Sequence, residues 1–213
     1  DPVADFTPVA GISRGPMLLY THPGRLPVHG VAELLVLLRR EPGRHSFGYT
    51  SITSRLPAEM LQQAADVTLV AVPYRSGSSA LPDLLAGRID MLFTDLSAWP
   101  YVAEGRLRAI AVTDTQRSPL APEVPTFAEA GHPEVGSGPW FAVLAPAGTG
   151  FEIRRKLSDE MRQILNQGEV QEKLKELGVE SRGMTPEEFD TYLKAEYKRW
   201  GGVIRKAGIT LDK

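Results

Sequence analysis

The chain has 213 residues, 42% of them hydrophobic, a formal net charge of −2 and no cysteine. That length supports one sizeable core or two small ones, since domains usually run ~100–200 residues. The near-neutral balance argues against nucleic acid or an acidic membrane surface as partner, because either needs a clustered basic patch. Without cysteine there is no disulfide, thiolate nucleophile or cysteine-ligated metal.

No apolar run approaches the ~18–20 residues that span a bilayer, and the opening "DPVADFTPVAGI" lacks a basic n-region and an apolar h-region. The expectation is a chain that is not membrane-embedded and is either cytosolic or already processed. "PMLLYTHPG" reads as a strand ending at Pro23-Gly24, and Val31, Leu34, Leu35 and Leu38 recur at helical spacing until Pro42-Gly43. "HSFGYT" is a second strand, Leu56, Met60 and Ala64 mark a second helix, and "VTLVAVPY" has the β-branched content of a strand buried on both faces.

A helix through "SSALPDLLAG" and the strands "RIDMLFTD" and "RLRAIAVTD" come next. Strands alternating with helices of this length predict crossover connections and a largely parallel sheet. "RSPLAPEVPTFAEAGHPEVGSG", rich in Pro, Gly and acidic residues, reads as a linker-like excursion with a short helix at "TFAEAG", before a strand "PWFAVLAP". Ile153, Leu157, Met161, Ile164 and Leu165 draw a helical stripe, and a shorter charged helix begins after Gly168. In "TPEE", Thr185 three residues before Glu188, with Pro186 between, is a capping box. It opens a last helix whose packed face is Phe189, Leu193, Tyr197, Trp200 and Ile204.

Catalytic and metal chemistry find little support. The four histidines, His22, His29, His45 and His132, lack ligand spacing. No P-loop or nucleophile-elbow motif occurs, and Gly136-Ser137-Gly138 precedes a strand rather than the helix a dinucleotide fingerprint requires. Asp83, Asp90 and Glu104 read as two solvated charges and a helix-ending residue rather than as acids and bases. Asp95 differs, because it comes directly after an apolar strand: it either faces a ligand crevice or caps the turn at "LSAW".

"FGYTSITSRLPAEM" crowds Thr50, Ser51, Thr53 and Ser54 between a strand and a helix. A nucleophile fails for want of a base, since the nearest histidine, His45, lies in the preceding strand. Ser54 as N-cap would put Pro57 at the third helical position, where its missing N–H breaks no bond. The same strand end, hydroxyl-rich turn and helix start form an anion site, and Arg55, unfavourable to the helix dipole, suggests an expected negative charge.

The segments "VPYRSGSSALPDLLAGRIDMLF", "GRLRAIAVTDTQRSPLAPEVPTFAEAG" and "WFAVLAPAGTG", with the terminal "TPEEFDTYLKAEYKRWGGVIRKAGI", resemble the Bug family over nearly the whole chain. These are periplasmic substrate-binding receptors of tripartite tricarboxylate transporters. The resemblance implies an α/β, two-lobed periplasmic-binding-protein fold of type II, with mostly parallel sheets flanked by helices. It closes on a small carboxylate in an interlobe cleft. It implies a first lobe lacking its N-terminal part, so that residues 1–15 are a lobe 1 remnant and crossover, 16–141 lobe 2, and 142–213 the C-terminal part of lobe 1.

The resemblance further implies a noncatalytic receptor delivering an organic carboxylate to a membrane permease; Asp95, if it faces the cleft, would repel a second carboxylate and favour an amino acid instead, and no metal or cofactor is expected. Carried over by position, its ligand contacts are Thr50, Ser51, Thr53, Ser54, Arg55, Thr94 and Asp95. The hydroxyl turn is about two residues shorter than the family's and has lost its glycines; Arg55 stands where histidine is usual, and Pro139 replaces a common Ser or Thr. A ligand-sensing module is the main alternative, because the same fold serves regulators. An enzyme acting on a small acid is third, lacking an arranged nucleophile and base.

Overall fold

The computed structural model describes residues 3–136 and 138–209, so Ser137 of the Gly136–Gly138 turn lies outside it. The chain divides into two compact units: unit 1 holds the residues up to Gly15 and from Pro139 onward, and unit 2 is Pro16–Gly138. Strand β1 (Phe6–Arg14) leads out of unit 1. Unit 2 then runs β2 (Leu18–Thr21), α1 (Val31–Arg40), β3 (Ser46–Tyr49), α2 (Ile52–Ala65), β4 (Val70–Pro73), α3 (Gly77–Leu85) and β5 (Met91–Thr94). A single 3-10 turn (Leu96–Ala98), α4 (Trp99–Ala103) and β6 (Arg108–Val112) complete it. The chain returns along β7 (Trp140–Pro146), then α5 (Phe151–Leu165), α6 (Gly168–Glu176), β8 (Glu180–Met184) and α7 (Pro186–Lys206).

Unit 2 is a five-stranded sheet in the order β4-β3-β5-β2-β6. Parallel pairing, expected through most of the fold, is confined to β4-β3-β5, because β2 runs antiparallel to both β5 and β6. Its core gathers Leu18, Tyr20, Leu84, Leu92 and Val112. α1 buries Val31, Leu34, Leu35 and Leu38, the stripe its spacing predicts, and Glu33 near its start with Arg39 and Arg40 at its end complement the helix dipole. β4 is an edge strand, not a doubly buried one: Val70 is 45% exposed, and Pro73 sits where an edge tolerates its missing donor.

The excursion after β6 packs rather than links. Ala121, Val124, Phe127 and Val135 are buried, and Val112 pairs with Thr126 in a parallel bridge that covers part of the outer edge of β6. The helix expected at "TFAEAG" is reduced to one turn. Thr126 and Glu129 cap each other's backbone N–H groups at 2.7 and 3.0 Å, and the His132 N–H then closes on the Phe127 carbonyl around Gly131, at φ +88°.

Unit 1 is an antiparallel sheet in the order β7-β1-β8. β1 and β7 are the outgoing and returning legs of the long insertion, so they pair as a hairpin pairs. Neither β1 nor β8 stands out in the sequence. Pro8 and Gly11 interrupt β1 at its two register shifts, and β8 is a short polar edge. α7 begins with the expected Thr185–Glu188 box, at 2.9 and 3.2 Å, and buries Phe189, while Tyr197 on the expected face is 60% exposed. α5 keeps only part of its predicted face. Leu165 is buried and Met161 half-buried, Arg154 reaches the Pro8 carbonyl of β1 at 3.2 Å and Ser158 is buried, while Ile153, Leu157 and Ile164 are 59%, 42% and 50% exposed.

One glycine is required by packing. A Cβ on Gly48 would lie 2.7 Å from Ile89 Cδ1 and 3.2 Å from the Tyr74 ring. Gly48→Ala is therefore expected to lower the urea midpoint by an amount corresponding to about 1–3 kcal/mol. Ile89→Val, which removes that Cδ1, should recover part of the loss; a double variant no more stable than Gly48→Ala would contradict the assignment.

Candidate functional site

In the parallel register Phe47 pairs with Met91, Gly48 with Leu92 and Tyr49 with Pro73. The C-terminal ends of β3, β4 and β5 therefore leave unit 2 at one sheet edge, the edge at which open α/β sheets hold ligands. Thr50, Ser51, Thr53, Ser54 and Arg55 lie on the turn into α2, and Thr94 and Asp95 at the neighbouring end of β5. Both groups of predicted residues thus share that edge.

The helix start differs from the expectation. Ser51, not Ser54, is the N-cap: its backbone is extended, its hydroxyl accepts the Ser54 N–H at 3.3 Å, and the Arg55 N–H closes the first turn on its carbonyl at 3.1 Å. The Ser54 Oγ in return accepts the N–H groups of Thr50 at 2.9 Å and Ser51 at 3.1 Å. A serine does at the third helical position what Glu or Gln does in the usual capping box. Starting one turn early places Pro57 inside the helix, where the Thr53 carbonyl loses its partner. Thr53 itself is half-buried and forms no side-chain hydrogen bond among the described residues.

Arg55 has a partner within the helix. Its Nε donates to Glu59 at 2.8 Å, and its guanidinium lies 5.2 Å from the centre of the Tyr49 ring. Glu59 thus answers the charge that the sequence left unexplained. The terminal nitrogens of Arg55 make no hydrogen bond among the described residues. Asp95 takes the capping geometry, accepting the Ser97 N–H at 3.0 Å, and remains exposed. Its carbonyl is held by the hydroxyl of the fully buried Tyr20 at 3.2 Å, and that phenol is pushed up in pKa by burial first and the Asp95 charge second.

Sequence reasoning missed the third turn on this edge. α3 starts after the extended Ser76, whose side chain does not cap it; the Ser79 and Ala80 N–H groups close on the Ser76 carbonyl at 3.1 and 3.3 Å. The signal was present in "YRSGSS", a strand end, a small polar turn and a helix, the same order that drew attention to Thr50. Beneath it the Tyr74 hydroxyl donates to Asp83 at 2.8 Å, and Arg88 pairs with Asp83 at 2.7 Å. Asp83 is accordingly no loose surface charge. The Arg88 bond, then the Tyr74 bond, hold its carboxyl below the usual range, while burial and then Asp83 push the Tyr74 phenol up to about 12.

Asp90 ends no helix. It is 2% exposed and accepts from Ser46 N at 2.8 Å, Ser46 Oγ at 2.9 Å and Arg25 Nε at 3.0 Å, fixing the far end of β3 against β5. His45 lies at that same far end, 2.9 Å from Glu41, so a strand's length separates it from Ser51. Among the described residues no three His, Asp or Glu side chains are grouped to hold a metal ion.

This geometry generates two measurements. Ser54→Ala strands two backbone donors and is expected to cost about 1–2 kcal/mol in urea unfolding. Ser51→Ala, at an exposed position where water replaces the hydroxyl, should cost about half that; equal midpoints would rule out the two-donor role of Ser54. Because the Tyr74 pKa is raised, its bond to Asp83 contributes fully below the unfolded value near 10 and is lost as pH rises through about 12. Stability should fall over that interval in the native chain more than in Tyr74→Phe, read by chemical denaturation at each pH.

The description "Tripartite tricarboxylate transporter family receptor" (TctC) matches residues 1–209. A UPF0065 protein from the tcbD–tcbE intergenic region of a Pseudomonas species is 35% identical over 94% of this chain and 60% of its own length. BugT of Bordetella pertussis is 32% identical over 97% and 64%. The chain thus spans less than two thirds of these curated relatives. An R. palustris protein solved with adipate superposes with a TM-score of 0.83 at 36% identity, over 99% of this chain and 71% of that one. MatC of Rhodopseudomonas palustris with bound malate gives 0.79 at 27%, over 95% and 71%, and periplasmic binding protein BugD gives 0.80 at 28%, over 98% and 71%. No helix among the described residues is long and apolar enough to cross a membrane. The chain belongs to the TctC family of tripartite tricarboxylate transporter receptors.

Proposed function

We propose that the chain is part of a noncatalytic periplasmic receptor that captures a small organic carboxylate or amino acid and hands it to the permease of a tripartite transporter. The observation that carries this reading is the ligand class of two similar proteins, adipate and malate. The polar edge of unit 2 suits such a ligand. One carboxylate accepts from the N–H groups at the start of α3 and from the hydroxyls of Thr50 and Thr53, where two helix dipoles favour negative charge. Thr94 adds a hydroxyl from the end of β5.

Arg55, held by Glu59 and Tyr49, offers its terminal nitrogens to a second carboxylate. Such a charge-assisted bond is worth roughly 1.5–3 kcal/mol. The exposed carboxylate of Asp95 acts on the same choice by repelling a second acid and favouring an amine.

A thermal-shift screen with adipate, malate and free amino acids tests the reading. A ligand at a hundredfold excess over its Kd stabilises by about 2.7 kcal/mol. Arg55→Ala is expected to weaken dicarboxylate binding about tenfold to hundredfold. A shift with another class of solute and none with any acid overturns the proposal, and unchanged dicarboxylate affinity in Arg55→Ala removes the role of Arg55.

A further inference from the structure

Unit 1 contains a cavity of about 180 Å³ that shares no residue with the strand-end edge of unit 2. Its walls come from β1, β7, β8 and α7. Trp140 meets Phe189 edge-on at 5.7 Å and Tyr192 edge-on at 5.9 Å, which gives the cavity an aromatic corner. Met184 closes another side by crossing Gly11, where a Cβ would lie 3.0 Å from its sulfur. Arg14 and Arg182 stand at the polar side. Ser13, only 5% exposed, also lines the space, and its hydroxyl forms no hydrogen bond among the described residues.

We infer that this cavity is a second binding site, for a small carboxylate carried on a flat apolar ring. The ring fits the aromatic corner, and the carboxylate fits the arginines and the Ser13 hydroxyl. The volume is below the ~300 Å³ at which drug-sized pockets begin, so the occupant is a single ring rather than a larger cofactor. Three arginines, Arg14, Arg182 and Arg199, stand against two carboxylates, Glu180 and Glu196, at this corner of unit 1. Arg14, Arg199 and Arg182 all act on the Tyr192 phenol, whose pKa burial and then Glu196 raise. Of the neighbouring carboxylates, Glu196 is engaged by Trp200 and Arg199, and Glu180 lies 3.6 Å from Arg182. This inference does not rest on the ligand proposed for unit 2.

Benzoate is the probe, titrated into the chain by calorimetry and followed by tryptophan fluorescence. Saturable binding is expected, at least tenfold weaker in Arg182→Gln, with the circular dichroism spectrum of that variant unchanged because Arg182 is an exposed residue. Trp140→Phe should abolish most of the fluorescence change while calorimetric binding persists. Benzylamine, the same ring with the opposite charge, should not bind. Equal benzoate affinity in Arg182→Gln, equal binding of benzylamine, or displacement of benzoate by adipate would each overturn the site.

Discussion

Parallel pairing of β3 with β4 and β5 sends three strand ends, and the three turns that continue from them, out of a single edge of unit 2. The rest of the candidate site depends on that register. Gly48 permits it, because Tyr74 and Ile89 close over the one position of β3 that has no side chain. Asp90 locks it from the opposite end by accepting from Ser46 and Arg25 together. Removing one partner of so buried a carboxylate leaves a charge without compensation, which makes the anchor costly to break. Tyr20 does the corresponding work beneath the turn after β5, where its hydroxyl holds the Asp95 carbonyl.

On that edge two helix starts share a geometry and differ in capping. α2 satisfies its own N-terminus through Ser51 and Ser54, whereas α3 begins at Gly77 without a side-chain cap. Self-capping fixes the hydroxyl turn in place but withdraws some of its donors, whereas the start of α3 is closed by main-chain bonds from Ser79 and Ala80 to the Ser76 carbonyl. Arg55 obeys the same logic. Glu59 and Tyr49 orient its guanidinium, and an oriented fork loses less entropy per hydrogen bond formed than a free one.

Elements with local chemistry were legible in the sequence. The stripe of α1 and the Thr185 box of α7 need only neighbours three or four residues away. The start of α2 was misplaced by one turn for two local reasons. Serine stands where Glu or Gln usually completes the box, and Pro57 reads as an N-terminal proline although it lies within the helix. β1 and β8 were hidden for a different reason. Their strand character comes from pairing with β7 and with each other, across separations that no local pattern carries. The role of "YRSGSS" was visible in principle, but only the register of β4 beside β3 assigns it to the same edge as Thr50.

The described residues of the two units bury apolar side chains to different extents. Unit 2 has a continuous apolar core, while the described residues of unit 1 bury chiefly Val9, Ala10, Leu165 and Phe189. Burial of apolar area contributes about 25 cal/mol per Å², so these residues draw less of it than those of unit 2, beside the main-chain pairing along β1 and the aromatic contacts of Trp140. α5 shows the same mixture. Arg154 ties the helix to β1 through the Pro8 carbonyl, and Ser158, Met161 and Leu165 share its inward face. Ile153, Leu157 and Ile164 lie open among the described residues. The inward face is thus mixed, with Arg154 making a main-chain tie to β1 and Leu165 supplying the buried apolar contact.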